Sequence, residues 1–136
     1  MSDSDPIRTA RCPCGALSAT CHGEPSRVSL CHCNSCKRRS GSAFALQATY
    51  PEAAVDTNGT PVMYERINDE GRWARFYFCA TCGTTLWYRI ELRPDMVSVP
   101  IGCFGTPNFS PPTFEVFGES AMAGMTVKIT PEPEQQ

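Results

Sequence analysis

Seven of the nine cysteines in this 136-residue chain fall in three short clusters: Cys12-Pro13-Cys14-Gly15, Cys31-His32-Cys33-Asn34-Ser35-Cys36 and Cys79-Ala80-Thr81-Cys82-Gly83. A short loop between two such cysteines strains a disulfide. The same loop lets both thiolates converge on one metal ion. Two clusters supply two sulfurs each and the third supplies three. That divides into one closed four-sulfur site and one three-sulfur site with a free position. Tetrahedral zinc uses the first arrangement for structure and the second for chemistry.

The glycines say which clusters share an ion. Cys14 and Cys82 are each followed by glycine, which turns through a left-handed backbone without strain and aims its N–H at a sulfur. Cys12, Cys14, Cys79 and Cys82 therefore read as two halves of one structural zinc site that staples a small core. Cys31, Cys33 and Cys36 form the second site. His32 lies between two ligands one residue apart, so an extended backbone points it to the opposite side, where it packs or hydrogen-bonds. Cys21 and Cys103 stand alone and read as small buried hydrophobes.

Other classes fit less well. The chain opens Met-Ser-Asp-Ser-Asp-Pro with neither a basic segment nor an apolar run, so no signal peptide is expected. Nine cysteines in 136 residues stay below the roughly 8–10% that marks a disulfide scaffold, and the odd count leaves one thiol unpaired. A reducing cytoplasm is the expected compartment. No stretch approaches the ~18 apolar residues of a membrane span. A net charge of −2 argues against nucleic acid as the main partner. Against that acidic background Lys37-Arg38-Arg39 stands out, directly after the three-cysteine cluster.

The elements that must position these residues are mostly strands. Phe44, Leu46, Ala48 and Tyr50 alternate with Ala45, Gln47 and Thr49, the period of a strand with two unlike faces. Residues 15–22, 27–30, 62–67, 73–78, 84–89, 96–101 and 113–117 read likewise. The stretch 68–72 is a hairpin turn with Gly71 at positive φ, and the Cys79–Cys82 knuckle sits at a second hairpin tip. One short helix is expected from Asn34 or Ser35 to Ser40, capped by one of those two residues and closed by Gly41. Twelve prolines would break longer helices. The expected organisation is one domain over residues 1–130 with a frayed tail at 131–136.

Cys-x-Cys-Gly, then Cys-His-Cys-x-x-Cys with basic residues and Ser-Gly-Ser-Ala-Phe, then Phe-Cys-x-x-Cys-Gly, run in that order from about Arg11 to Leu86. In this the chain resembles the glutathione-dependent formaldehyde-activating enzyme and centromere protein V family. The resemblance implies a mainly β fold, a β-tent of several small coiled antiparallel sheets with one short helix. It implies a structural zinc on Cys12, Cys14, Cys79 and Cys82 and a functional zinc on Cys31, Cys33 and Cys36. Where many relatives carry a tryptophan near the end of the domain, this chain reads Ser120-Ala-Met-Ala-Gly-Met125.

The implied chemistry is a zinc-dependent carbon–sulfur lyase or synthase that joins glutathione to formaldehyde or another small aldehyde. Three thiolates make zinc a weak Lewis acid, poorly suited to ionising water but a good host for an incoming thiol. Lys37, Arg38 and Arg39 could pair with glutathione's carboxylates, with Ser40 and Ser42 adding hydrogen bonds. The partners implied are a small-molecule thiol and an aldehyde, with monomer and homodimer both open. Two other classes remain. A non-catalytic zinc module needs a fourth protein ligand at the middle cluster, such as His32 or Cys103. A thiol redox protein needs a reactive cysteine outside the zinc sites, for which Cys103 is the candidate.

Overall fold

The computed structural model describes residues 5–130; the tail expected to fray lies outside the described residues. Ten strands follow in chain order: β1 (Ile7–Arg11), β2 (Ser18–His22), β3 (Arg27–Cys31), β4 (Ala45–Pro51), β5 (Val55–Asn58), β6 (Val62–Ile67), β7 (Trp73–Phe78), β8 (Thr85–Ile90), β9 (Met96–Pro100) and β10 (Phe114–Val116). One helix, α1 (Asn34–Ser40), and three single turns of 3₁₀ helix complete the described elements. The mainly β architecture expected of the sequence is what forms. Its strands make two sheets, of three (β1-β2-β5) and seven (β10-β3-β4-β9-β8-β7-β6). All pairings are antiparallel except β10 on β3, which is parallel. No helix among the described residues is long and apolar enough to cross a membrane.

The small sheet packs on one face of the large one, and the other face carries the site. Ala10, Leu17, Ala19 and Cys21 from the small-sheet side meet Ala48, Tyr50, Leu86, Val97 and Val99. Each fully buried leucine or valine there contributes about 1.5–3 kcal/mol. Strand alternation then turns the intervening residues to the opposite face. On β4, Gln47 and Thr49 point away from the core that takes Ala48 and Tyr50; on β9, Ser98 opposes Val97 and Val99. On β3, Arg27, Ser29 and Cys31 share the face opposite Val28.

The register slips once, between Tyr77 and Phe78 against β8. Leu86 and Trp87 are both in the core as a result. A β-bulge bends the strand there, and it does so next to the Cys79–Cys82 knuckle. The turn from β6 to β7 forms as expected: Gly71 has φ +81, and the Asn68 carboxamide oxygen accepts from the amides of Glu70 and Arg72 at 2.9 and 3.0 Å. Strands β1 and β5 were not anticipated from sequence.

Candidate functional site

The sulfurs of Cys12, Cys14, Cys79 and Cys82 all lie within 4.8 Å of one another. Cys12 and Cys14 are 3.7 Å apart and Cys14 and Cys79 3.5 Å. Tetrahedral zinc with bonds of about 2.3 Å sets its sulfurs roughly 3.8 Å apart. The four fit that ion. The two knuckles are built alike. Cys12 donates its amide to the carbonyl of Leu17 at 3.1 Å, as Cys79 does to that of Thr84 at 2.9 Å. Gly15 and Gly83 both have φ +80, and their amides return to the carbonyls of Cys12 and Cys79. The amide of Leu17 donates to the Cys12 sulfur at 3.3 Å.

Further donors favour the thiolates of Cys82 and Cys79. The Thr84 hydroxyl and amide, with the Cys14 amide, hold Cys82 down to about 6. The amides of Cys82 and Thr81 lower Cys79. The Ala16 amide is the largest single influence on Cys14 and acts in the same sense, but the Cys79, Cys12 and Cys82 sulfurs and desolvation together push it up to about 12. The group thus sheds protons unevenly, as closely packed thiols must.

Cys31, Cys33 and Cys36 also lie within 4.8 Å of one another, and no fourth histidine, cysteine or carboxylate among the described residues joins them. Cys31 ends β3, and the other two straddle the start of α1. The helix cap is Cys33, whose sulfur accepts from the Cys36 amide at 3.3 Å. Neither Asn34 nor Ser35, the caps expected from sequence, fills that role. The far end closes as expected, with Gly41 at φ +69 donating to the Lys37 carbonyl. A hydrogen bond from Cys31, then Cys33 and Arg39, pushes Cys36 down to about 5 against the opposing effect of burial. Cys31 moves up, because it shares its proton with Cys36 and is buried.

His32 is buried, its Nε2 2.6 Å from a Glu115 carboxylate oxygen. Its amide donates to the Val116 carbonyl at 3.1 Å. It thereby ties β10 beside the cysteines rather than facing them. Cys103 is half-buried with its sulfur 3.7 Å from the Thr85 carbonyl; burial pushes its thiol up to about 11. That is the reverse of what a reactive thiol needs. Cys21 is fully buried in the core.

The three sulfurs open onto a cavity of about 240 Å³ between the large sheet and α1. The strand faces that avoid the core form its floor. Of the five residues picked out beside the cysteines, Arg39 alone lines it. Lys37 reaches Asn34 and the Ser120 carbonyl, and Arg38 is exposed. Ser40 donates to the Cys36 carbonyl at 2.7 Å and Ser42 accepts from Phe44 at 3.4 Å. The stretch 120–125 presents Met122 and Met125 to solvent.

Three arginines that sequence reasoning did not single out share the cavity with Arg39: Arg27, Arg66 and Arg93. Arg39 lies over the rings of Phe76 and Tyr88 at 5.3 and 5.0 Å, and Arg66 over Phe76 at 5.3 Å. Such stacking holds a guanidinium without neutralising it. Tyr88 is raised above the usual phenol range by burial first and by the charge of Cys36 second, so it remains a hydrogen-bond donor at neutral pH. Phe117 stands at the rim with a left-handed backbone, φ 56. No sequence signal links residues 27, 66, 88 and 93; only the strand order brings them together.

With this geometry in view, the chain belongs to the family described as glutathione-dependent formaldehyde-activating enzyme (GFA), whose profile matches residues 7–120. A Podospora anserina protein named "Putative glutathione-dependent formaldehyde-activating enzyme" is 32% identical over 94 residues, which is 66% of this chain and 43% of that protein. The chain thus spans less than half the length of that relative. In fold it is similar to a Rhodobacter sphaeroides protein of known crystal structure, with a TM-score of 0.57 and 22% identity over 76% of this chain and 91% of the other.

Proposed function

We propose that the chain, through residue 130, is one catalytic unit that adds the thiol of glutathione, or of a similar thiol, to formaldehyde or another small aldehyde. The observation that carries this reading is the three-sulfur cluster, which has no fourth protein ligand among the described residues and faces an arginine-lined cavity. Cys31, Cys33 and Cys36 would hold the functional zinc, and Cys12, Cys14, Cys79 and Cys82 the structural one. Zinc held by Cys31, Cys33 and Cys36 would supply a Lewis acid that favours the anionic form of a nearby thiol at neutral pH.

The chain's own residues do the rest. The cavity arginines hold the anionic thiol and bring its sulfur toward the aldehyde. A sulfur lone pair forms the carbon–sulfur bond, the carbonyl π electrons move to oxygen, and that oxygen takes up a proton. The Tyr88 hydroxyl, kept protonated by burial, can donate a hydrogen bond to the oxygen as it gains charge. The reverse steps break the same bond, which makes the reaction that of a carbon–sulfur lyase. No separate general base is required, because the thiol releases its proton to solvent on binding, and the aldehyde oxygen regains one from solvent.

The test is the exchange rate between free and glutathione-bound formaldehyde, followed by nuclear magnetic resonance with the reduced, zinc-loaded protein. Acceleration above the uncatalysed rate, lost in Cys33→Ser, is expected. An unaccelerated rate, or equal acceleration by Cys33→Ser, would remove the reading.

A further inference from the structure

Eight of the ten arginines divide by what they face. Arg8, Arg72, Arg75 and Arg89 each pair with a glutamate, namely Glu24, Glu70, Glu65 and Glu52. Arg27, Arg39, Arg66 and Arg93 line the cavity, and none of them pairs with a carboxylate among the described residues. The lining holds no aspartate or glutamate. In a chain of net charge −2, four guanidiniums facing one cavity with no carboxylate in its lining are costly, and the Cys36 thiolate answers only Arg39 among them.

Arg27 and Arg66 each bury a guanidinium Nε without a partner, and Arg27 shares the cavity lining with a further cation, Arg93. Arg27 shares one face of β3 with Ser29 and Cys31, four residues away, or about 13 Å along the strand. Its Nε is buried without a partner, and its guanidinium lies 4.8 Å from the Phe114 ring. Burial, and after it the charge of Arg93, depress its pKa, so these two cations lie close enough to repel. Between the arginines and the sulfurs, the Gln47 carboxamide nitrogen donates to Ser29 at 2.9 Å, while its oxygen is buried and unpartnered. An occupant that satisfies all of these brings an anion to the arginine end and an N–H to Gln47.

We infer that Arg27 and Arg93 form a carboxylate subsite that holds the end of the thiol substrate remote from its sulfur, selecting acidic, peptide-like thiols over simple ones. The inference rests on the thiol-and-aldehyde reading above and adds the residues that determine which thiol is accepted. A carboxylate between the two guanidiniums removes their repulsion and gains charge-assisted hydrogen bonds. A thiol without a carboxylate leaves both cations uncompensated.

The experiment is calorimetric titration of reduced, zinc-loaded wild type, Arg27→Gln and Arg93→Gln with glutathione and with 2-mercaptoethanol. Arg93 is exposed, so its variant keeps the test available if the Arg27 change disturbs folding. Glutathione should bind either variant roughly tenfold more weakly or worse, while 2-mercaptoethanol binding stays unchanged. Undiminished glutathione binding in both variants, with wild type binding normally, would overturn the subsite and leave the proposed function standing. Equal weakening of both thiols would overturn it too, as a general loss of structure. Wild type that fails to bind glutathione at millimolar concentration would overturn subsite and function together.

Discussion

The two cysteine centres use the same ligand atom and differ in everything around it. The centre at Cys12, Cys14, Cys79 and Cys82 is closed by four sulfurs from two matched knuckles 65 residues apart in sequence. The centre at Cys31, Cys33 and Cys36 draws all its sulfurs from one strand end and one helix start, then opens onto a cavity. The difference teaches that sulfur count alone separates little. A thiolate site becomes structural when it joins distant parts of the chain. It becomes available for chemistry when its ligands are local and one side faces space. On the proposed assignment the closed centre would carry fold energy and the open one would not; the cavity cations sit beside the open one.

Breaking each centre should therefore have different consequences. Cys14→Ser or Cys79→Ser is expected to yield insoluble protein, because removing one ligand releases a link across about half of the chain. Soluble protein with an unchanged melting temperature from either would contradict the comparison. Cys33→Ser should instead leave the fold and melting temperature near wild type and lose the catalytic acceleration, as read by thermal unfolding alongside the exchange assay.

Smaller changes sharpen the same contrast. Gly59, on the turn after β5, has φ +98, and a Cβ there would lie 2.2 Å from the carbonyl oxygen of Ala16, just beyond the first knuckle. Gly59→Ala should cost roughly 2–4 kcal/mol in denaturant unfolding, with zinc loss at the closed centre before the open one. Gly83→Ala meets no atom within 4 Å and suffers only its positive φ of +80, so about 1 kcal/mol is expected. At the bottom of the scale, Glu24→Gln removes a 3.4 Å surface pair with Arg8 and should change stability by less than about 1 kcal/mol.

Legibility in the sequence followed how local the cause was. The division of the cysteines could be read because Gly15 and Gly83 mark the two knuckles. The hairpin over 68–72 was legible through Asn68 and Gly71, and α1 through Gly41. The cap was misread because capping rules favour oxygen side chains, whereas here the Cys33 sulfur does the work at 3.3 Å. Strand β1, Ile-Arg-Thr-Ala-Arg, and strand β5, Val-Asp-Thr-Asn, show no clear period, and both take their place at the edges of the small sheet. The basic run at 37–39 drew attention because it is contiguous, yet a helix turns successive residues about its axis and only Arg39 lines the cavity. The remaining cavity cations come from β3, β6 and the β8–β9 turn. A motif drawn from one helix, two strands and a turn leaves no trace in spacing.

The central claim, one sealed centre and one with room for a foreign ligand, is tested most directly by counting zinc. Freshly purified, reduced wild type should hold two ions per chain and Cys33→Ser one, with both proteins folded. Two ions persisting in Cys33→Ser, or no zinc at all in the wild type, would contradict the account.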